Sequence, residues 1–133
     1  MYFDGASKSN PGKAACAAVI YTPTGAQLTV GKKYLGIKTN NEAEYLGLIL
    51  GLELADELGI KRLQIRGDSQ LVISQMQGKW GVKAIKLSTL YASAKLLTLK
   101  LDECTFTWVP RAQNHVADAM CNHAIKEGNA FVI

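Results

Sequence analysis

The chain has 133 residues, of which 48% are hydrophobic and 20% charged, so its composition is that of one globular domain and excludes a disordered chain. Its formal net charge of +4 is compatible with nucleic acid binding, although many small basic proteins bind none. Three cysteines without C-x-x-C spacing argue against a disulfide framework or a cysteine zinc site, and we expect reduced, mostly buried thiols. No signal peptide or membrane span is recognisable, and we expect an intracellular, cytoplasmic monomer without membrane association.

Hydrophobic patterning and turn residues predict an α/β fold that begins with an antiparallel meander. The three strands of this meander are predicted at residues 1–6, 14–21 and 27–35. A helix over residues 39–58 follows and is ended by Gly59. If this helix is a right-handed crossover, the fourth strand, at residues 62–66, must return parallel to the first.

The second half of the chain completes the predicted layers. The predicted elements are helices at 71–77 and 84–99, a strand at 105–109, and a final helix capped by Asn114 and stopped by Gly128. In the helix at 84–99 we expect Ile85, Ser88, Tyr91 and Leu97 to face the core.

The helix predicted from residue 39 combines a strong start signal with an unusual stripe. Thr39 and Glu42 have the spacing of a capping box. Glu44 shares one stripe of the helix with Gly47 and Gly51, because residues three and four apart lie above one another. Each interior glycine costs about 0.5–1 kcal/mol relative to alanine, so the stripe predicts a backbone packed closely against a sheet. Glu44 would point at that sheet, where a carboxylate must be paired or bound to a cation.

Four carboxylates occupy comparable positions in the predicted elements: Asp4, Glu44, Asp68 and Asp118. Glu44 and Asp68 could instead cap helices, and Asp118 could face water, but Asp4 lies within a strand, where aspartate is depleted. If the first and fourth strands are parallel neighbours, Asp4, Glu44 and Asp68 meet within a few ångströms and need cations. Oxygen ligands without histidine or cysteine suit magnesium or manganese, and two such ions are the usual arrangement for displacement at phosphorus.

Four segments resemble, in family order, the motifs of the type 1 ribonuclease H family. They are FDGASKSNPG at 3–12, TNNEAEY at 39–45, GDSQ at 67–70 and NHVAD at 114–118. The resemblance covers nearly the whole chain and implies that residues 1–133 form a single ribonuclease H domain. It implies a five-stranded mixed sheet in the order 3-2-1-4-5 flanked by helices, and endonucleolytic cutting of the RNA strand of an RNA/DNA hybrid.

The same resemblance implies a two-metal site that binds Mg²⁺, with Mn²⁺ as an alternative. Asp4 would bridge both ions, Asp118 would complete one site, and Glu44 and Asp68 would complete the other.

Hybrid recognition requires contacts to RNA 2′-hydroxyls and bases across a wide minor groove. The resemblance assigns this role to Asn10, Asn41 and Gln70, with Asn40 and Ser69 beside them. Without the resemblance, ordinary turn and helix-start positions would explain these residues.

A basic segment offers a path for the phosphates of the DNA strand. No acidic residue occurs from 69 to 101, whereas Lys79, Lys83 and Lys86 occur there with Trp80 among them. The alternative is that these lysines form the solvated side of an amphipathic helix, which we favour for Lys95 and Lys100.

Two departures from the family pattern affect these assignments. Residues 78–83 pass directly into the next helix, so the chain resembles the compact forms that lack a long basic protrusion. The loop before the last motif has no histidine, and Arg111 is our candidate for a phosphate contact there, with His115 as the alternative. Asn114 is counted among the candidate substrate contacts.

The sequence therefore predicts a metal-dependent endoribonuclease that uses in-line attack by water and leaves 5′-phosphate and 3′-hydroxyl ends. One alternative is a noncatalytic hybrid-binding or tethering domain, which the presence of all four carboxylates disfavours. A second is a polynucleotidyl transferase or exonuclease of the same broad fold, which Asn10, Asn41 and Gln70 disfavour. The ribonuclease H domain of a larger polymerase or retroelement polyprotein is a third.

Overall fold

The structure, a computed structural model, describes residues 1–130. Its strands are β1 (Tyr2–Ser7), β2 (Gly12–Tyr21), β3 (Gln27–Lys38), β4 (Arg62–Gly67) and β5 (Glu103–Trp108). Its helices are α1 (Asn40–Glu57), α2 (Gln70–Met76), α3 (Ile85–Thr98) and α4 (His115–Ala130), with a 3₁₀ turn at Arg111–Gln113. The strands form one sheet in the order β3-β2-β1-β4-β5, with β1–β3 antiparallel and β4 parallel to β1 and β5. The predicted topology is confirmed.

Strand β2 is buried on both faces of the sheet. Its residues 14–20 are all buried, and most of them are alanine. Ala18 lies against Gly51 of α1, whereas Ala15 packs with Ala124 and Ile125 of α4. Because side chains three apart in a strand point to opposite faces, α1 and α4 cover opposite sides of the sheet.

The start and end of α1 follow from its local sequence. The Thr39 hydroxyl accepts from the Glu42 N–H at 3.2 Å, and a Glu42 carboxylate oxygen accepts from the Thr39 N–H at 3.0 Å. The predicted capping box is therefore present. At the other end Gly59 has φ +69°, and the Ile60 N–H donates to the Ala55 carbonyl at 3.0 Å. A glycine tolerates this left-handed conformation, which ends the helix as predicted.

Helix α1 packs against β1 with main chain touching main chain. A Cβ atom placed on Gly47 would overlap the Asp4 carbonyl oxygen, and one on Gly5 would overlap the main chain of Ala43. A Cβ on Gly51 would meet the Met1 side chain. The close packing predicted from Gly47 and Gly51 is confirmed, and Gly5 supplies the matching gap on the strand.

Helix α3 presents a different face from the one predicted. Leu87 and Ala94 are its buried residues, whereas Ile85 is 85% exposed and Ser88 is also exposed. The prediction was wrong for Ile85 and Ser88, because the first turn of the helix buries Leu87 and leaves Ile85 and Ser88 facing solvent. Tyr91 and Leu97 do pack against the core, as expected.

Several element boundaries also differ from the prediction. Strand β3 continues to Lys38, and β5 begins at Glu103. Helix α4 does not stop at Gly128, and a Cβ atom there would overlap the Tyr34 ring. This glycine therefore permits close packing of α4 on β3 instead of ending the helix.

Cys16 and Cys121 are free and buried, and Cys104 is free and partly buried. Within residues 1–130, every helix is too short or too polar to cross a membrane.

Replacing Gly47 by alanine is expected to lower the free energy of unfolding by about 1–3 kcal/mol, because the new methyl group overlaps a main-chain carbonyl. Helix propensity alone predicts a gain of up to about 1 kcal/mol. Gly51→Ala is the matched control in the same helix, because its methyl group would overlap only the end of the flexible Met1 side chain and approach the Ala18 Cβ at 3.1 Å, with no main-chain atom in the way. Equilibrium urea unfolding measures both variants, and equal stability of the two would contradict the prediction.

Candidate active site

Three carboxylates from separate elements meet at one edge of the sheet. Asp4 lies in β1, Glu44 in the first turns of α1, and Asp68 directly after β4. Each offers an oxygen atom, and these three atoms all lie within 4.8 Å of one another. The parallel pairing of β1 with β4 puts the carboxyl ends of both strands at the same edge, as the sequence predicted.

Burial makes this cluster electrostatically unfavourable when no cation is bound. Asp4 is 4% and Glu44 9% exposed. Burial, aided by the charge of Asp68, raises the pKa of Asp4 to about 7. Burial and then the charge of Asp4 raise the pKa of Glu44 well above its usual range. Burial also raises the pKa of Asp68, although hydrogen bonding from Asn114 opposes that shift.

The donor set fits a hard divalent cation. The Glu44 Oε1 atom is buried and has no hydrogen-bond partner among the residues that the structure describes. A buried carboxylate oxygen without a partner is costly, and a cation between the three carboxylates would remove that cost. Oxygen ligands alone are the preference of magnesium and manganese.

Asp118 lies beside this group and not within it. It occupies the first turn of α4, and its side chain is 27% exposed. Its negative charge contributes to the raised pKa of both Asp4 and Asp68, so it lies at the same edge. Its Oδ1 lies 3.4 Å from Nη2 of Arg111, whose side chain is 79% exposed. Arg111 therefore presents a positive charge at the border between the carboxylates and solvent.

Asn114 is placed differently from our expectation. Its side chain is 2% exposed, and its Nδ2 donates to the Phe3 carbonyl at 2.8 Å. Its Oδ1 accepts no hydrogen bond from the part of the chain that the structure describes, so the expected side-chain cap of α4 is wrong. The amide instead ties the start of α4 to β1 one residue before Asp4. So deep a position leaves it little surface for a substrate.

The turn between β1 and β2 is held against the start of α1 by two asparagines. The Ser7 N–H donates to Asn40 Oδ1 at 2.9 Å, and the Asn40 N–H donates to Asn10 Oδ1 at 3.1 Å. Asn10, Asn40 and Asn41 are all exposed. Because the oxygen atoms of Asn10 and Asn40 are used internally, these side chains present their NH₂ groups as donors to solvent.

At the start of α2 the capping role belongs to Ser69 and not to Asp68. The Ser69 hydroxyl accepts from the Val72 N–H at 3.2 Å, which leaves the Asp68 carboxylate free for the cluster. Gln70 is exposed at the first position of the helix. Trp108, which none of the sequence motifs includes, also lies here, and its Nε1 donates to the Asp68 carbonyl at 3.1 Å. The sequence signal for this contact was an aromatic residue at the end of β5, the strand that pairs with β4.

Lysines surround the connection between α2 and α3, residues 77–84, which we call the basic loop. Lys79, Lys83 and Trp80 lie in this loop and are exposed, and Lys86 is exposed just beyond it. The Thr39 N–H lowers the pKa of Glu42, and the charge of Lys86 adds to that shift, so Lys86 lies near the start of α1.

Lys95 and Lys100 make internal contacts instead. The Lys95 Nζ donates to the Met76 carbonyl at 3.1 Å, and the Lys100 Nζ lies 3.2 Å from an Asp56 oxygen. The expectation that both form the solvated side of an amphipathic helix is therefore wrong for Lys95, which is half-buried, and Lys100 lies beyond the end of α3 at Thr98.

The sequence matches known proteins over most of its length. The family model described as "Reverse transcriptase-like" matches residues 2–124. Ribonuclease HI of Halobacterium salinarum is 41% identical over 126 residues, which are 95% of this chain and 63% of that protein. The bifunctional protein Rv2228c of Mycobacterium tuberculosis is 42% identical over 92% of this chain and 34% of its own length. The chain thus spans less than two thirds of either relative.

Solved structures share the fold throughout. The crystal structure of RNase H1 from Halobacterium salinarum has a TM-score of 0.92 at 41% identity, covering 95% of this chain and 96% of that one. LC11-RNase H1 in complex with an RNA/DNA hybrid has a TM-score of 0.92 at 34% identity, covering 96% of both chains. With the same sheet order and similarity over nearly the full length of the domain, the chain belongs to the type 1 ribonuclease H family.

Proposed function

We propose that this chain is an endoribonuclease that cuts the RNA strand of RNA/DNA hybrids by metal-dependent hydrolysis, leaving 5′-phosphate and 3′-hydroxyl ends. The observation that carries the proposal is the convergence of Asp4, Glu44 and Asp68 within 4.8 Å, with a Glu44 oxygen that has no hydrogen-bond partner within residues 1–130. The structure of LC11-RNase H1 with an RNA/DNA hybrid, at 34% identity, supports the choice of substrate. We propose that the chain acts as a monomer.

Asp4, Glu44, Asp68 and Asp118 would hold two magnesium ions, with manganese as the alternative. When bound, the metal supplies a Lewis acid that activates water for in-line attack and stabilises charge on the departing 3′ oxygen. Asp4 would be the shared ligand, because the charges of Asp68 and Asp118 raise its pKa and its carboxyl group hydrogen-bonds with that of Glu44. The exposed Arg111, 3.4 Å from Asp118, would contact a phosphate of the cut strand, with His115 as the alternative.

The exposed amides beside the cluster would read the minor groove. Asn10 lies in the β1–β2 turn, Asn40 and Asn41 begin α1, and Gln70 begins α2. Internal hydrogen bonds tie the β1–β2 turn to the start of α1 and cap the start of α2. Fixed donors of this kind suit the base acceptors of the minor groove and the 2′-hydroxyl groups, which only the RNA strand carries. The Ser69 hydroxyl accepts from the Val72 N–H and so caps α2. Ser69 would therefore contribute to substrate binding by holding Gln70 in place. Asn114 is buried, so it would contribute by holding the start of α4 against β1.

The basic loop would contact the DNA strand. Lys79, Lys83 and Lys86 are exposed, and Trp80 is 46% exposed beside them. Lysine contacts to phosphates release counterions and give affinity without sequence preference. This surface would position the duplex while the carboxylate edge performs hydrolysis.

Asp4→Asn is expected to reduce hybrid cleavage at least about a thousandfold, because loss of the shared ligand removes several kcal/mol of transition-state stabilisation. Magnesium should also raise the thermal midpoint of the wild-type protein more than that of the variant. A labelled hybrid, an RNA duplex and a DNA duplex serve as substrates at matched magnesium. Wild-type cleavage by Asp4→Asn would remove the basis of the site assignment.

The same variant has a stability control that needs no metal. Burial raises the Asp4 pKa from 3.8 to about 7, so the folded state binds this proton more tightly than the unfolded state. The resulting stabilisation is complete below about pH 4 and is lost as the pH rises through about 7. In chelator, the free energy of unfolding of wild type minus that of Asp4→Asn should therefore fall across this interval, by at most about 1.4 kcal/mol per pH unit. A flat difference would contradict the assigned environment of Asp4.

Gln70→Ala is expected to lower kcat/KM on a hybrid by about two- to tenfold, the usual effect of one lost hydrogen bond. Its affinity for DNA duplex should change less, since DNA lacks the 2′-hydroxyl. Exposed Gln27, at the start of β3, provides the matched control Gln27→Ala. Equal cutting of DNA duplex and hybrid by the wild-type protein would favour a general nuclease instead.

Changing Lys79, Lys83 and Lys86 together to alanine is expected to lower the slope of log affinity against log salt by roughly two units. Turnover at saturating substrate should change far less, because these contacts position the duplex. Binding is measured in the Asp4→Asn background, with exposed Lys126→Ala on α4 as the control. An unchanged salt slope would identify the lysines as a solvated surface.

A further inference from the structure

A buried chain of hydrogen bonds joins α1 to the basic loop. The Tyr45 hydroxyl donates to Gln75 Oε1, and Gln75 Nε2 donates to the Gly81 carbonyl at 3.2 Å. Tyr45 is fully buried and Gln75 is 4% exposed. The chain therefore runs from the protein interior to a loop whose side chains are exposed.

The direction of the hydrogen bonds fixes the Gln75 amide. A tyrosine hydroxyl that donates must face the amide oxygen, so the NH₂ group is turned towards Gly81. A buried amide that loses either partner is left with an unsatisfied polar atom, which is unfavourable. One position of the loop therefore satisfies Gln75, and displacement of Gly81 would leave the amide unpaired.

The other contacts of the basic loop show which part of it depends on the hydrogen bond from Gln75 to Gly81. At its first end, the main-chain N–H groups of Lys79 and Trp80 donate to the Ser74 carbonyl at 2.9 and 3.2 Å. At its second half, Val82 packs against the core and Gly81 binds Gln75. A Cβ atom on Gly81 would meet nothing within 4 Å, so side-chain packing does not hold this residue. The Gln75 amide is thus the polar anchor on the side of the loop that leads to Lys83.

The chain of hydrogen bonds starts at Tyr45, next to the carboxylate cluster. Tyr45 directly follows Glu44 in α1, and its ring lies in the core beneath α2 and α3 while Glu44 faces the sheet edge. One turn of α1 therefore supports both a candidate metal ligand and the basic loop.

We propose that Tyr45 and Gln75 are positioning residues that hold Gly81, and with it Trp80 on one side and Lys83 on the other, at a set distance from the carboxylate cluster, and thereby determine affinity for the nucleic acid backbone. The inference rests on the proposed function, because it requires that the basic loop contact the substrate. Neither residue is a catalytic residue, since both are buried away from the substrate surface.

Tyr45→Phe removes the hydroxyl and keeps the ring, and Gln75→Met removes both hydrogen bonds at similar volume. Each is expected to raise KM for the hybrid by about three- to tenfold while kcat changes less than about twofold. In the Asp4→Asn background, the salt slope of binding should fall by about one unit. Ile65→Val, a core change in β4, controls for loss of stability alone and should alter neither KM nor slope.

A spectroscopic readout follows the loop without any catalysis. With Trp108 changed to phenylalanine, Trp80 is the remaining tryptophan of the chain. Acrylamide should quench its fluorescence more strongly in Tyr45→Phe and Gln75→Met than in Ile65→Val. Unchanged quenching, KM and salt slope in whichever of the two variants folds would overturn the inference.

The lysine variant separates the two possible failures. If changing Lys79, Lys83 and Lys86 leaves the salt slope unchanged, the loop does not contact phosphates, and both the proposed role of the loop and this inference are overturned. If that variant lowers the slope while Tyr45→Phe and Gln75→Met do not, the inference alone is overturned and the proposed function stands.

Discussion

The main-chain contact between α1 and β1 is the constraint on which the site depends. Gly5 and Gly47 leave no room for a side chain at this contact, so the helix lies directly on the strand that carries Asp4. Glu44 is one turn from Gly47 and consequently reaches the same edge as Asp4 and Asp68. A larger residue at either glycine would move the helix outward and carry Glu44 away from the other two carboxylates.

This packing brings together groups that repel each other. Burial raises the pKa of Asp4, Glu44 and Asp68, so the folded chain holds carboxylates where their charged forms are disfavoured. Natural sequences violate local preferences mainly at functional sites, and the stability that compensates comes from elsewhere. Here it comes from the doubly buried β2 and from the capping box and glycine end of α1. The fold thus holds an unfavourable electrostatic arrangement that a bound cation would relieve.

The elements that local patterns encode could be predicted, and those set by distant contacts could not. The sheet order, the capping box and the meaning of Gly47 followed from turn residues, spacing and the family motifs. The inward face of α3 did not, because it depends on where α1 happens to lie. Gly128 carries a helix-stop signal that contact with Tyr34 overrides. The buried hydrogen bonds of Asn114 and Gln75 were not predicted. Asn114 bonds to Phe3, 111 residues away, and Gln75 bonds to Tyr45 and Gly81, 30 and 6 residues away.

Ser69 and Asp68 divide two tasks between neighbouring positions. Because the serine caps α2, the aspartate carries no part of the helix start, and its replacement need not disturb the fold. The exposed amides of Asn10 and Asn40 and the basic loop are likewise held by hydrogen bonds that do not involve Asp68. Under the proposed function, one nucleotide change that replaces Asp68 is therefore expected to remove hydrolysis while the proposed duplex-binding surface is retained.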